Sequence, residues 1–167
     1  MKKTLILLTA ILLLLATAGY TFSEETAKEW TVSGTISYSS PLIIMMMGND
    51  LQATFDALGV YVTDSVDSPF NNSSIRILGS GLVLKGAYTE TGSVCFTLPN
   101  GDQVFAVYEG MGVGGKRMKG TFKLTGGTGN FAGITGQGEL DRLNVNWPAM
   151  KGTTQGYIKN KFTWKKE

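Results

Sequence analysis

The residues Gly110-Met111-Gly112-Val113-Gly114-Gly115-Lys116-Arg117 have the spacing of a phosphate-binding loop, G-x-x-x-x-G-K. Arg117 stands where a Ser or Thr would hold Mg²⁺. A strand-type sequence follows, instead of a helix whose N-terminus would face phosphate. The stretch therefore reads as a glycine connection between strands. Gly126 to Gly129 reads as a hairpin turn and not as a phosphate cradle, since no helix follows it. The chain contains no histidine and a single cysteine, Cys95. That excludes Ser-His-Asp and Cys-His devices, His-ligated zinc and haem, a CxxC redox pair and a Cys₄ site. Cys95 lies out of phase with Val94, Phe96 and Leu98 and reads as a small packing residue. The sequence implies no cofactor and no metal. The basic cluster Lys116, Arg117 and Lys119 has no interleaved stacking aromatics, so no nucleic-acid partner is expected.

What remains is a set of polar side chains in phase with apolar ones. Tyr38 follows Trp30 and Ile36; Tyr108 follows Val104 and Ala106; Arg142 follows Ile134 and Leu140; Asn160 sits between Ile158 and Phe162. Inside a β-structure such groups are either paired with one another or used on a ligand. Pairing is the commoner fate of buried polar groups. Met45, Met46 and Met47 close the run PLIIMMM, which is apolar on both faces. Methionine adapts to varied apolar partners, so these three are candidates for the mouth of a binding site, with core filling as the plainer alternative.

The elements that must position these residues are strands. In Lys119 to Arg142, Phe122 and Leu124 alternate with Thr121, Lys123 and Thr125, a period of two. Gly126-Gly127-Thr128-Gly129 supplies the turn. Beyond it Ala132, Ile134 and Leu140 share one face with Gly136 and Gly138, and inward glycines mark a tight bend or a close approach of another backbone. Glu29 to Tyr38 alternates in the same way. Asp50 to Thr63 reads as a long strand with a bulge near Gly59, and Asp64 to Ser74 as a polar loop. Strands are expected over Ile75 to Leu78 and Gly81 to Thr89. A hairpin joins Val94 to Leu98 with Gln103 to Glu109 across Pro99-Asn100-Gly101-Asp102. Arg142 to Lys151 reads as a loop, and Thr154 to Trp164 as the last strand. With 22 glycines and no convincing helical segment, the class is all-β. The inward-facing set is expected to be Trp30, Ile36, Phe122, Leu124, Ile134, Leu140, Ile158, Phe162 and Trp164, joined by the four polar residues above.

The run Gly126-Gly127-Thr128-Gly129-Asn130-Phe131-Ala132-Gly133 with Gly136 resembles the glycine-rich run of allene oxide cyclases and of dirigent proteins. Pro99 to Asp102 and Lys119 to Phe122 add a closer resemblance to secreted bacterial proteins of that barrel superfamily. The resemblance is firmest over residues 93–142. It implies an eight-stranded antiparallel β-barrel, with trimers among some relatives, so a homo-oligomer is possible. It transfers no activity, because one fold hosts many functions.

Residues 1–18 read as a secretory signal: Lys2 and Lys3, an apolar run from Thr4 to Leu15, then the small-x-small site Ala16-Thr17-Ala18. The apolar run is too short for a comfortable membrane span. Residues 19–167 form one domain, secreted or periplasmic, with no stable membrane span after cleavage. From Gly19 to Gly110 there are 3 basic and 10 acidic residues, and from Met111 to Glu167 there are 10 basic and 3 acidic. Pairing of early with late strands across the barrel seam is the expected reading; a basic face for anionic lipid or glycan is the sharper one. Three functions follow in order: an exported barrel binding a small apolar or amphipathic ligand, a structural or interaction protein of the cell envelope, and a cyclase or isomerase. A carboxylate such as Glu109 or Asp56 buried beside Arg142 would raise the last.

Overall fold

A computed structural model describes residues 28–113 and 116–166. The expected signal segment, residues 1–18, lies outside them. Eight strands follow one another around a closed barrel: β1 (Trp30–Met47), β2 (Asp50–Thr63), β3 (Ser73–Leu84), β4 (Ala87–Thr97), β5 (Gln103–Val113), β6 (Arg117–Gly127), β7 (Ile134–Asn144) and β8 (Thr153–Lys166). Every neighbour pair is antiparallel, and β1 closes the ring on β8 from Trp30↔Trp164 to Pro41↔Thr153. Closure leaves no sheet edge for these β-rich sequences to expose.

Alternation sorts the side chains. Ile36, Phe122, Leu124, Ile134, Leu140, Ile158 and Phe162 are buried in one core, and Trp164 packs against it. Trp30 departs from the expected set. It lies at the very start of β1, is 38% exposed, and stacks on Trp164 with ring centroids 4.5 Å apart. The end of the barrel around Trp164 is plugged by aromatics. Phe70 from the β2–β3 loop meets Phe96, Phe131, Phe162 and Trp164, with centroids 5.2–6.0 Å apart. Each such pair adds about 0.5–1.5 kcal/mol beyond area burial. The opposite end, hereafter the hairpin end, carries the β1–β2, β3–β4, β5–β6 and β7–β8 connections.

Several boundaries differ from the sequence reading. β2 runs through Gly59 without a bulge, in continuous register with both neighbours. Among the described residues, the one register shift falls at Phe105/Ala106, where β5 meets β6. β3 continues through Gly79-Ser80, and the chain turns instead at Lys85-Gly86, both at positive φ. Thr89 therefore belongs to the next strand. Gly126-Gly127 ends β6. The connection to β7 is a 3₁₀ turn, Gly129–Phe131, that drives Phe131 into the core. Gly110 and Gly112 are ladder residues paired with Gly120 and Met118.

Among the described residues, no ion pair of the two charged halves crosses the β1–β8 seam. Asp56 pairs with Arg76 between β2 and β3, and Arg117 with Asp141 between β6 and β7. Both pairs are exposed and screened by solvent, so they add little to stability. The pair that joins the two halves, Glu90 with Arg142, lies inside the barrel.

Candidate functional site: a buried ion pair beside an interior cavity

Inward glycines make room for the site. Tyr38 lies between Gly59 and Gly156 in the register, and a Cβ on Gly156 would stand 2.9 Å from its hydroxyl. Tyr88 lies over Gly81, where a Cβ would come within 2.4 Å of the phenol oxygen. Tyr108 crosses Gly92, where a Cβ would come within 2.6 Å of the ring. Small residues at these points let three tyrosines lie flat across the barrel and gather their hydroxyls.

The hydroxyls gather around a carboxylate. Tyr108 donates to Glu90 Oε1 at 2.8 Å, and the hydroxyl of Tyr88 and Nη1 of Arg142 both donate to Glu90 Oε2. The Arg142 guanidinium also lies 5.4 Å from the Tyr88 ring centroid, a cation–π distance. Tyr38 donates to Asn144 Oδ1 beside this group. Deeper in the barrel, Tyr61 donates to Asn160 Oδ1 at 2.6 Å. Glu90 and Arg142 are 3% and 6% exposed, so this is a fully desolvated ion pair. Two charges taken out of water are tolerated only when paired and hydrogen-bonded, as these are.

The electrostatics follow from burial. Desolvation pushes the Tyr38 phenol up to about 12; Arg142 opposes the rise and Glu90 adds to it. Burial raises Tyr88 and Tyr108 in the same direction, with the Glu90 charge adding to it. Burial raises Tyr61 too, helped by Asp64 and opposed by its bond to Asn160. For Arg142 burial alone would lower the pKa, but Glu90, Tyr38 and Tyr88 outweigh it and hold the guanidinium charged. The site is therefore a neutral phenol cage around one arginine–carboxylate pair.

A cavity lies beside the pair, lined by Tyr38, Tyr108, Arg142, Asn160 and Glu90 among apolar side chains such as Ile77 and Phe122. The centre of a water-sized sphere has about 40 Å³ to move in there, room for roughly three waters. The structure thus brings all four sequence-named polar residues to one space. It does not bring Met45, Met46 and Met47 there. β1 outruns β8 at Pro41, so the β1–β2 hairpin projects past the barrel wall and leaves the three methionines 55%, 64% and 39% exposed. Neither carboxylate named from sequence reaches Arg142. Asp56 and Glu109 are in outward phase, with Asp56 on Arg76.

Glu90 takes the place of those carboxylates, and sequence reasoning missed it. The signal was present: Tyr88, Glu90, Gly92, Val94, Phe96 and Leu98 share one phase once the turn is placed at Lys85-Gly86. Ending a strand at Thr89 cut that phase in two. Four buried side-chain polar atoms lack a partner among the described residues: Arg142 Nε and Nη2, Thr135 Oγ1 and Trp164 Nε1. Of these three residues only Arg142 lines the cavity. Among the described residues no group of three or more His, Cys, Asp or Glu side chains is placed to hold a metal ion.

The fold has known counterparts. The chain is similar to the pterocarpan synthase dirigent protein GePTS1, at 12% sequence identity and a TM-score of 0.52, over 90% of this chain and 99% of that one. It also aligns with the pterocarpan synthase dirigent protein PsPTS1, at 12% identity and a TM-score of 0.47, over 87% and 99%. No family model and no curated protein sequence matches the chain. The architecture is therefore a dirigent-type eight-stranded barrel. Identity this low establishes the fold alone, since one barrel serves many activities.

Proposed function

We propose that this protein is an exported barrel that binds the polar end of a small, mostly apolar molecule in its interior. One observation carries the reading. Arg142 lines the interior cavity together with Tyr38, Tyr108, Asn160 and Glu90, and its buried Nε and Nη2 have no hydrogen-bond acceptor among the described residues. A guanidinium offers these donors as a fork, suited to one oxygen or a pair. Leaving them unmet costs about 1–3 kcal/mol each, more for a charged group. A ligand oxygen recovers that cost. The ligand group is neutral, a carbonyl or hydroxyl, because Glu90 already balances Arg142 and a second buried anion beside it would be repelled. The volume suits such a head group and its first carbons, not a drug-sized ligand, which needs about 300 Å³ or more.

The test is native mass spectrometry of protein purified from its own host, with cyclopentanone and cyclopentane as probes added to the stripped protein. A co-purified neutral molecule, and NMR shifts at Arg142 Nε with the ketone but not the hydrocarbon, support the reading. The absence of both a ketone response and a co-purified molecule would sink it.

One observation favours a second reading, a cyclase or isomerase akin in kind to the dirigent synthases. Glu90 is a buried carboxylate beside Arg142 and holds two phenol protons. Such a set can donate and accept a proton without histidine. Turnover of a reactive olefinic substrate, lost in Glu90→Gln with folding retained, is the measurement that separates catalysis from binding.

A further inference from the structure

The exposed hairpin end is unlike the rest of the surface. Met45 and Met46 from the β1–β2 hairpin stand at 55% and 64% exposure, Leu84 at 47%, Val113 at 79%, Trp147 at 91% and Met150 at 61%. They come from four separate connections that the antiparallel order brings to one end of the barrel. None of these large side chains is in the core cluster. A tryptophan this exposed beside flexible methionines suits the boundary layer of a membrane, where an amphipathic ring is half wet.

The charge on the same end is one-sided. Lys85, Lys116, Arg117 and Lys151 lie in or beside the turns there, against two acids, Asp141 and Asp50, whose Oδ1 accepts from the Lys85 backbone N–H. Arg117 is bound to Asp141, so three lysines carry the free charge. The aromatic-plugged end is different: Glu29, Asp64, Asp67 and Asp102 face Lys28, Lys165 and Lys166. An apolar rim ringed by lysines is complementary to an anionic lipid surface, where each lysine adds about 1 kcal/mol of attraction.

We propose that the hairpin end docks peripherally on anionic membranes, with Trp147 and the β1–β2 methionines entering the headgroup layer. The docking is independent of whether the interior binds a ligand. It places Trp147 in the lipid and holds Trp30 and Trp164 at the far end of the barrel, away from it.

The experiment is flotation of the host-purified protein with vesicles of phosphatidylcholine, alone or with phosphatidylglycerol, some carrying brominated acyl chains. The expected result is binding to the anionic vesicles only, with bromine quenching of fluorescence that disappears in Trp147→Phe. Replacing Lys85 and Lys151 by Gln should weaken partitioning by roughly thirtyfold, about fivefold per lysine. Equal binding to both vesicle types would overturn the proposal and point to the apolar run before residue 16 as the anchor. Quenching that survives Trp147→Phe would overturn the orientation. Self-association abolished by Trp147→Ser, with no lipid binding, would assign the surface to a second copy of the chain instead.

Discussion

Replacing Glu90 by Gln keeps the shape of the side chain and removes its charge. Arg142, 6% exposed, is then left as an uncompensated buried cation. Glu90 also accepts from Tyr88, Tyr108 and Arg142, so three bonds to a charged acceptor become bonds to a neutral one or are lost. Breaking a buried pair from one side costs about 3–5 kcal/mol. That is a large part of the roughly 5–15 kcal/mol that holds a domain together. The double variant Glu90→Gln with Arg142→Met removes both charges. Replacing a buried pair by apolar groups is often neutral or better, so the second change should recover most of the loss. Urea unfolding followed by tryptophan fluorescence measures the cycle. A coupling energy above about 2 kcal/mol is expected, well beyond the error of additive sites. A Glu90→Gln variant within about 1 kcal/mol of the parent, or losses that simply add, would refute the claim that these charges are buried together.

Four tyrosines, Tyr38, Tyr61, Tyr88 and Tyr108, have pKa values raised by burial, Tyr38 to about 12. The folded state holds their protons more tightly than the unfolded chain, whose value is about 10. Their stabilisation is whole below about pH 10 and is lost as pH rises from there through the folded values; absorbance at alkaline pH should show these four ionising only above about pH 12 or together with unfolding. Gly138 faces inward between Lys161 and Phe162, and a Cβ there would lie 2.4 Å from the Lys161 carbonyl oxygen and from Phe162 Cβ. Gly138→Val should therefore lower stability by about 1–3 kcal/mol, and an unchanged urea midpoint would mean that the register between β7 and β8 is misassigned. The exported protein should begin near Gly19, and N-terminal sequencing that finds Met1 would remove the export part of the proposal.

The period of two made most of this barrel legible. Phe122, Leu124, Ile134 and Phe162 were placed inward by alternation alone, and so were Tyr38, Tyr108, Arg142 and Asn160. Alternation is a local property of the strand and survives errors in where the strand ends. What it cannot supply is which strands meet. Glu90 and Arg142 are 52 residues apart, and only closure of the sheet brings them together. Met45 to Met47 lie away from the cavity for a related reason. An apolar run looks buried wherever it lies, but here β1 is longer than its partner β8, and the excess length leaves the barrel. The turn at Gly126 misled because glycine announces positive φ without fixing loop length. Gly126, Gly129 and Gly133 all adopt it, across a connection that folds Phe131 inward.

The account rests on Arg142 meeting a ligand oxygen, and a high-resolution crystal structure of the protein purified from its own host looks at that atom directly. The expected density is a non-water molecule in the cavity with an oxygen about 2.7–3.2 Å from Arg142 Nε or Nη2. A guanidinium whose Nε and Nη2 are met by ordered water or by a protein carbonyl, in a cavity holding nothing else, would contradict it.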